Sequence, residues 1–448
     1  MRSGYDVVVV GARCAGSLLA GLLAKRGVSV LLVDRAEFPS DSVSTHIMQL
    51  NGAAILARQG LTPQLRAAAP ALRGMNVSIN GIDLSCDFPL RPGDGPGAFC
   101  IRRDLLDEVL LRYAQAAGAD IELGTAVQEL TTTGRVVTGV SITTPDGATR
   151  SVRASLVVGA DGRNSTVARA VGARRYNTVT GDRFVVWAYV PNTELPPEDR
   201  ISFIRNGEDI ILKAPSNGEC HMAAINPPLE MLPEAKRDPH KLLYTTLRAA
   251  PQTIPDADAL DRYRPRVRMV GRSTSYFREA AGPGWVLVGD ASMYKDPCTG
   301  QGMSDAFRHA EQLCESITRG FVSGALDREL RRWWIRRDRD ESRTYGFMSY
   351  QGRTGDVTPF ERLLLERLSR NARKREAFAN VFAHRAVPVY QFTLRAGLTL
   401  CAASMADPKQ AIPLSADAAR LSLNEMQWWF RLQASAVMRP RLQTSANA

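Results

Sequence analysis

No stretch of this chain is apolar for long enough to span a bilayer, so nothing in it reads as an integral membrane segment. No secretory leader is expected either: Val7 to Val10 is too short for a signal core and runs straight into a glycine turn. Cysteine is sparse. The seven are scattered, odd in number and without CxxC spacing, which argues against a disulfide framework and a zinc site. Internal repeats and low-complexity tracts are missing as well. The expectation is a reduced, cytoplasmic protein without a metal.

What the chain does have is charge of both signs, 57 Lys+Arg against 46 Asp+Glu, for a net +11. The basic residues are interleaved with acids rather than clustered, so we read the excess as solubility and expect no nucleic-acid partner. The densest run, Asp327 to Arg343, alternates in sign as a solvated helix does. At 448 residues and 44% apolar, the chain has room for about two or three domains with real cores.

Tyr5 to Val10 reads as a buried parallel strand, followed by a glycine turn, a helix over 17–26 and a second buried strand over 28–33 ending in Asp34. This is a β-α-β unit. A helix carrying Leu106, Val109, Leu110, Tyr113, Ala114 and Ala117 follows Arg102-Arg103-Asp104. Strand-like segments occupy 121–130 and 136–144, and Ser155 to Val158 enters Gly159-Ala160-Asp161-Gly162. Near residue 176 the pattern changes to short strands over 184–190, 201–205, 209–213 and 220–225, an antiparallel sheet that 75–88 could join. The αβ pattern resumes near Arg266, and after Gly320 the chain is mostly helical. The fold expected is α/β: a discontinuous Rossmann-like domain (1–73, 99–175 and 266–330), an inserted, mostly antiparallel β-sheet domain (74–98 and 176–265), and a C-terminal helical region (331–448).

Three turns carry the chemistry. In the third, the apolar run 285–288 stops at Gly289-Asp290, turns through Asp296-Pro297 and Gly300-Gln301-Gly302, and opens a helix with Ala306, Phe307, Ala310, Leu313 and Ile317 on one face. Such a start presents bare backbone N–H groups that suit a diphosphate or an electron-rich ring. In the first, Gly11 permits a tight turn and Gly16 lets helix and strand pack closely, while Arg13 replaces the middle glycine of the dinucleotide fingerprint. Asp34 supplies a carboxylate for ribose hydroxyls, and Arg13 could ion-pair with a diphosphate or point away as a surface arginine. The second, Gly159 to Ser165, reads equally as a cofactor turn or as a plain strand-to-helix turn capped by Ser165. Two phosphate-friendly loops so far apart in the sequence, at Gly11 and at Gly289, imply one large cofactor gripped from both ends.

Gly11 to Gly16 with Asp34, Arg103-Asp104-Leu105-Leu106-Asp107, Gly159 to Gly162, and Gly289-Asp290 with Pro297 to Gly302 occur in that order. Together they resemble the FAD-dependent monooxygenases of the p-hydroxybenzoate hydroxylase fold, with geranylgeranyl reductases and flavin halogenases as neighbours, over about the first 330 residues. The resemblance implies that Gly11, Arg13, Gly16 and Asp34 hold the ADP half of FAD, with Arg35 beside the adenine and Val127 meeting it through its backbone. It implies Arg103 near the diphosphate, and Asp161 and Gly162 in a motif associated with both FAD and NAD(P)H. Asp290 would bind the ribityl chain, and the amides from Gly300, Gln301 and Gly302 to Met303 would face the ring. Tyr294 and Cys298 depart from the family pattern; Tyr294 reads as a packing residue and Cys298 as a small inert one, having no His or Lys partner in view.

His46 follows the second strand and reads either as a neighbour of the flavin or as a loop histidine. Trp187 and Tyr189 alternate on a strand, so they line a substrate pocket or pack a sheet face. His221 reads as a strand-surface residue, and Trp333-Trp334 and Trp428-Trp429 as anchors of C-terminal helices. The activity implied is NAD(P)H- and O₂-dependent oxygenation of an apolar, aromatic or polycyclic small molecule. No side-chain acid or base is named, because the hard chemistry belongs to the cofactor. A prenyl- or lipid-chain reductase, a flavin halogenase and a flavin-binding scaffold without catalysis stand as alternatives. The halogenase is disfavoured because Trp333-Trp334-Ile335 lacks the Trp-x-Trp-x-Ile spacing. A homodimer, a separate flavin reductase, and a lid or substrate channel made by 331–448 all remain open.

Overall fold

The computed structural model of the chain describes residues 2–40, 46–191, 199–250 and 264–386. In β1 (Gly4–Val10), Val7 and Val9 face one apolar cluster and Val8 and Val10 another. Apolar cover on both faces is what a central parallel strand requires. The chain turns at Gly11 into α1 (Cys14–Ala24) and returns as β2 (Val30–Val33), parallel to β1. Later, α2 (Arg103–Ala116) leads to β3 (Asp120–Glu122), parallel to β2. A hairpin of β4 (Ala126–Thr133) and β5 (Val136–Thr143) passes to β6 (Thr149–Gly159), antiparallel to β5 and parallel to β1. Addition of β7 (Trp285–Leu287) completes a parallel run in the order β7-β6-β1-β2-β3. The single strand expected over 121–130 is therefore two, because Gly124 turns the chain between them at φ +63°.

A second sheet is built from Gly74–Ile79, Val185–Pro191, Arg200–Asn206, Asp209–Ser216, Cys220–Ile225 and Arg268–Val270. It is antiparallel except where Gly74–Ile79 runs parallel to Arg200–Asn206. Val185, Trp187 and Tyr189 pack with one apolar cluster, while Val186, Ala188 and Val190 pack with another against helix Pro239–Arg248. This double cover corrects the surface reading of His221. Its strand lies between two others with both faces occupied, and the residue is 2% exposed.

Two long helices, α3 (Gly302–Ser323) and α4 (Leu326–Gln351), follow the parallel sheet, and α3 packs beside α1. Helices Pro359–Ser369 and Ala372–Phe382 then cover one face of the second sheet, with Leu365, Phe378 and Phe382 in its apolar cluster. The sign alternation of α4 hides a buried stripe. Trp333, Arg337, Glu341, Tyr345 and Met348, about one turn apart, are all buried, so the helix is not simply a solvated one. Trp333 and Trp334 join the core beneath the parallel sheet, whereas Trp428-Trp429 lie outside the described residues. Among the described residues, no helix is long and apolar enough to cross a membrane.

The tightest packing in the parallel layer is at Gly16, where a Cβ would lie 1.8 Å from the Gly11 carbonyl oxygen and 3.2 Å from Ala160 Cβ. No side chain can enter there without moving backbone. Gly16→Val is expected to cost about 1–3 kcal/mol or more through overpacking. Urea denaturation checks this: a clear drop in the midpoint is predicted, and an unchanged midpoint would contradict the packing.

Candidate cofactor site

Three strand-to-helix turns meet at the C-terminal ends of β1, β6 and β7, where open parallel sheets commonly take ligands. They are in contact. Gly11 adopts φ +106°, and a Cβ on it would lie 2.5 Å from the Ala160 oxygen, while Gly289, at φ +60°, closes on Ala15. Around them is a cavity of about 610 Å³, well within the size range of cofactor pockets.

Asp34, at the end of β2, accepts hydrogen bonds from the backbone N–H of Ala12 at 2.7 Å and of Ala36 at 2.8 Å. Those two bonds fix the carboxylate and leave further lone pairs for hydroxyl donors. Arg35 and Val127 line the cavity with Asp34, as do Thr125 and Ala126.

No side chain caps the start of α1, so the amides of Cys14 and Ala15 stay outside the intrahelical ladder where they border the cavity. Arg13 and Arg103 also border it, held by one buried acid: Asp107 accepts from Arg103 Nε at 2.9 Å, from Arg103 Nη2 at 3.0 Å and from Arg13 Nη1 at 3.1 Å. Arg13 therefore does not point away into solvent, and Asp107 orients two cations toward the cavity. Its spacing of four from Arg103 on a helix was the available signal.

The second turn is capped as a plain strand-to-helix turn is, and its Asp161 and Gly162 also line the cavity. Ser165 caps helix Thr166–Ala170 by accepting from Ala168 N at 2.9 Å, and Asp161 Oδ2 accepts from Thr166 N at 2.6 Å. Yet Asp161 Oδ1 is buried without a hydrogen-bond partner, on a residue that lines the cavity beside Gly162. Burial pushes this carboxyl above the usual range, against the pull of Ser165 and the Thr166 amide.

In the third turn, Asp290, Gly300, Gly302 and Met303 line the cavity. No side chain caps α3, so its first amides are likewise open. Gln301 is buried behind them, its side chain engaged by the Phe382 carbonyl and by His384. The Arg163 guanidinium lies 5.0 Å from the centre of the Tyr294 ring, and both residues line the cavity. Cys298 is buried and its thiol is pushed well above the ordinary value by burial and by Asp296, as suits an inert packing residue.

An apolar wall comes from the second sheet and its neighbour: Val185, Trp187, Val270 and Ile47. His46 and Tyr189 stand outside the lining and stack on each other at 5.5 Å. Three further lining residues carry charge or a proton: Lys295, Asp305 and His309, of which Lys295 and His309 were given no role from sequence. Open amides at two helix starts, oriented arginines, a fixed carboxylate and an unpartnered buried oxygen are the donors and acceptors that a dinucleotide needs.

Asp290 provides a test of this electrostatic reading. Burial raises its carboxyl to about 6, with Arg163 and Arg103 pulling the other way. Between about pH 4 and 6 the folded chain thus keeps a proton that the unfolded chain releases. The group favours folding in acid and costs stability as pH rises through 6, by on the order of 3 kcal/mol. In urea unfolding of flavin-free protein, Asp290→Asn should match the parent near pH 4 and exceed its stability above pH 7. Parallel pH profiles would count against it.

The profile of the FAD binding domain family matches residues 4–329. Menaquinone reductase of Mycolicibacterium smegmatis is 26% identical over 346 residues, covering 72% of this chain and 78% of that protein. The 12-dehydrotetracycline 5-monooxygenase/anhydrotetracycline 6-monooxygenase of Streptomyces rimosus is 33% identical over 168 residues, 38% of this chain and 33% of its own. Among solved structures, p-nitrophenol 4-monooxygenase PnpA from Pseudomonas putida superposes with a TM-score of 0.72 at 19% identity, over 87% of this chain and 100% of that one, which shows the shared fold. Every residue that lines the cavity falls inside the matched region: the chain belongs to the FAD binding domain family and is an FAD-dependent oxidoreductase of the p-hydroxybenzoate hydroxylase fold.

Proposed function

We propose that the protein is a monooxygenase that uses NAD(P)H and O₂ to oxygenate an apolar, aromatic or polycyclic small molecule. The observation that carries this reading is one cavity bordered by two uncapped helix starts and closed by the apolar wall of Val185, Trp187 and Val270. FAD, held by the residues named below, would supply the redox chemistry between NAD(P)H and O₂. The chain's own residues bind, orient and exclude water. Gly11, Arg13, Gly16, Asp34, Arg35 and Val127 serve the ADP half, and Arg103, Asp161 and Gly162 its middle. Asp290 serves the ribityl chain, and the amides from Gly300 to Met303 the ring, where a helix N-terminus favours developing negative charge. Trp187 is the substrate-side residue best placed for contact, since it lines the cavity. In this reading 1–73, 99–175 and 266–330 form the cofactor domain, and 74–98 with 176–265 the substrate domain.

A second reading is an O₂-independent reductase of a prenyl chain or quinone. It is favoured by the menaquinone reductase match, which extends over most of both chains, whereas the tetracycline monooxygenase match covers a third of its own. Anaerobic NADPH reduction followed by turnover with and without O₂ separates the two. Oxygen-dependent product carrying an oxygen atom from O₂ is predicted; turnover that proceeds equally well without O₂ would reject the monooxygenase.

Asp34→Ala removes the acceptor proposed for ribose and its two bonds to backbone. A charge-assisted hydrogen bond contributes about 1.5–3 kcal/mol, so FAD affinity should fall roughly 10- to 150-fold. Fluorescence titration of flavin-free protein measures it, and an unchanged dissociation constant would remove Asp34 from the site.

A further inference from the structure

We propose that Glu341, reaching in from α4, is a positioning residue that holds Lys295 as a fixed cation at the cavity, so that their ion cluster sets how readily bound FAD is reduced. The proposal rests on the reading that the flavin ring lies at the start of α3.

Lys295 is 4% exposed at its side chain and lines the cavity two residues before Pro297. Its Nζ lies 2.8 Å from Asp305 Oδ2 on α3 and 2.9 Å from Glu341 Oε2 on α4. Arg308 joins the same two acids, at 3.2 Å from Asp305 Oδ1 and in direct contact with Glu341. His309 Nε2 is 2.8 Å from Glu341 Oε1, and His384 Nε2, just beyond the last described helix, is 3.2 Å from Asp305 Oδ1. Lys295, Asp305 and His309 line the cavity; Glu341, Arg308 and His384 stand behind them. Glu341 and His384 both lie beyond the region matched by the family profile.

The charges balance. Burial, reinforced by Arg308, lowers both imidazoles, His309 well below its ordinary value and His384 to about 4, so both are neutral near pH 7. Burial pushes the Asp305 carboxyl up, but Lys295, His384 and Arg308 outweigh it and hold the group well below the usual range. Burial pulls the Lys295 ammonium below its ordinary value, with Asp305 pulling the other way; counted at their ordinary charges, Lys295 and Arg308 face Asp305 and Glu341, two cations against two carboxylates. Ligand atoms of Asp305, Glu341 and His384 are close enough to hold a metal ion, yet Lys295 and Arg308 already supply the positive charge a metal would bring.

In a buried site a single uncompensated charge acts over several ångströms with little screening. The two-electron, one-proton reduction of the cofactor adds one negative charge to it. Removing Lys295 leaves the cluster at minus one and opposes reduction; neutralising Glu341 leaves it at plus one and favours it. A purely structural role for the cluster gives no reason for opposite signs.

The test is the midpoint potential of the FAD-loaded protein, measured by equilibration with a reference dye. Lys295→Met should shift the reduction equilibrium roughly tenfold toward the oxidised form, about 30 mV more negative for a two-electron couple. Glu341→Gln should shift it in the positive direction, and the double variant should return toward the parent. Lys295→Arg, which keeps the charge, should stay near the parent. If Lys295→Met fails to fold, the positive shift in Glu341→Gln alone decides the matter. Shifts of one sign in both single variants, or none with flavin bound, would overturn the proposal. Potentials that move as predicted in a protein that never oxygenates substrate would uphold it while rejecting the monooxygenase reading.

Discussion

Two helices, α1 and α3, begin without a side-chain cap at the same cavity, and much of the surrounding architecture follows from that. An uncapped helix start leaves amides that want an acceptor, and the partial positive charge there is strongest where water is excluded. Holding both starts at one place requires β1 and β7 to end at the same edge of the sheet, on either side of β6, and it requires glycine where the turns press together. Gly11 against Ala160 and Gly16 against the Gly11 carbonyl are those points. The buried Asp107 then turns Arg103 and Arg13 toward the same space, so the cations are oriented rather than merely nearby.

Much of this was legible in the sequence because it is local. The valine run of β1, the glycine turn and the Asp34 at the end of β2 lie within one β-α-β unit, and their periodicities are short-range. The Gly289 to Gly302 turn was legible for the same reason. What could not be read depends on which distant segments meet. Nothing in residues 74–79 says that they will pair in parallel with Arg200–Asn206, and nothing in the histidine of Cys220–Ile225 says that both sheet faces will be covered. Charge alternation in α4 concealed Arg337 and Glu341, because a buried ion reveals itself only through its partners. Glu341 meets Lys295 across a gap of 46 residues, and His384 meets Asp305 across more, so no window of sequence holds the cluster.

The helices after residue 320 consequently do more than cover the second sheet. They supply apolar weight through Phe378 and Phe382, and they bring Glu341 and His384 against residues that line the cavity. Covering and charge balance come from the same packing, since the buried stripe of α4 carries Trp333 in the core and Glu341 in the ion cluster. This couples the C-terminal helical region to the cofactor site by direct contact.

The central claim is that one cofactor lies along this cavity, with its adenosine end at Asp34 and its ring at the start of α3. Crystallographic difference density for the FAD-loaded protein tests it most directly. The account predicts ribose density within hydrogen-bonding distance of the Asp34 carboxylate and ring density against the amides of Gly302 and Met303. Density that places the ring away from α3, or the adenosine away from Asp34, would contradict it.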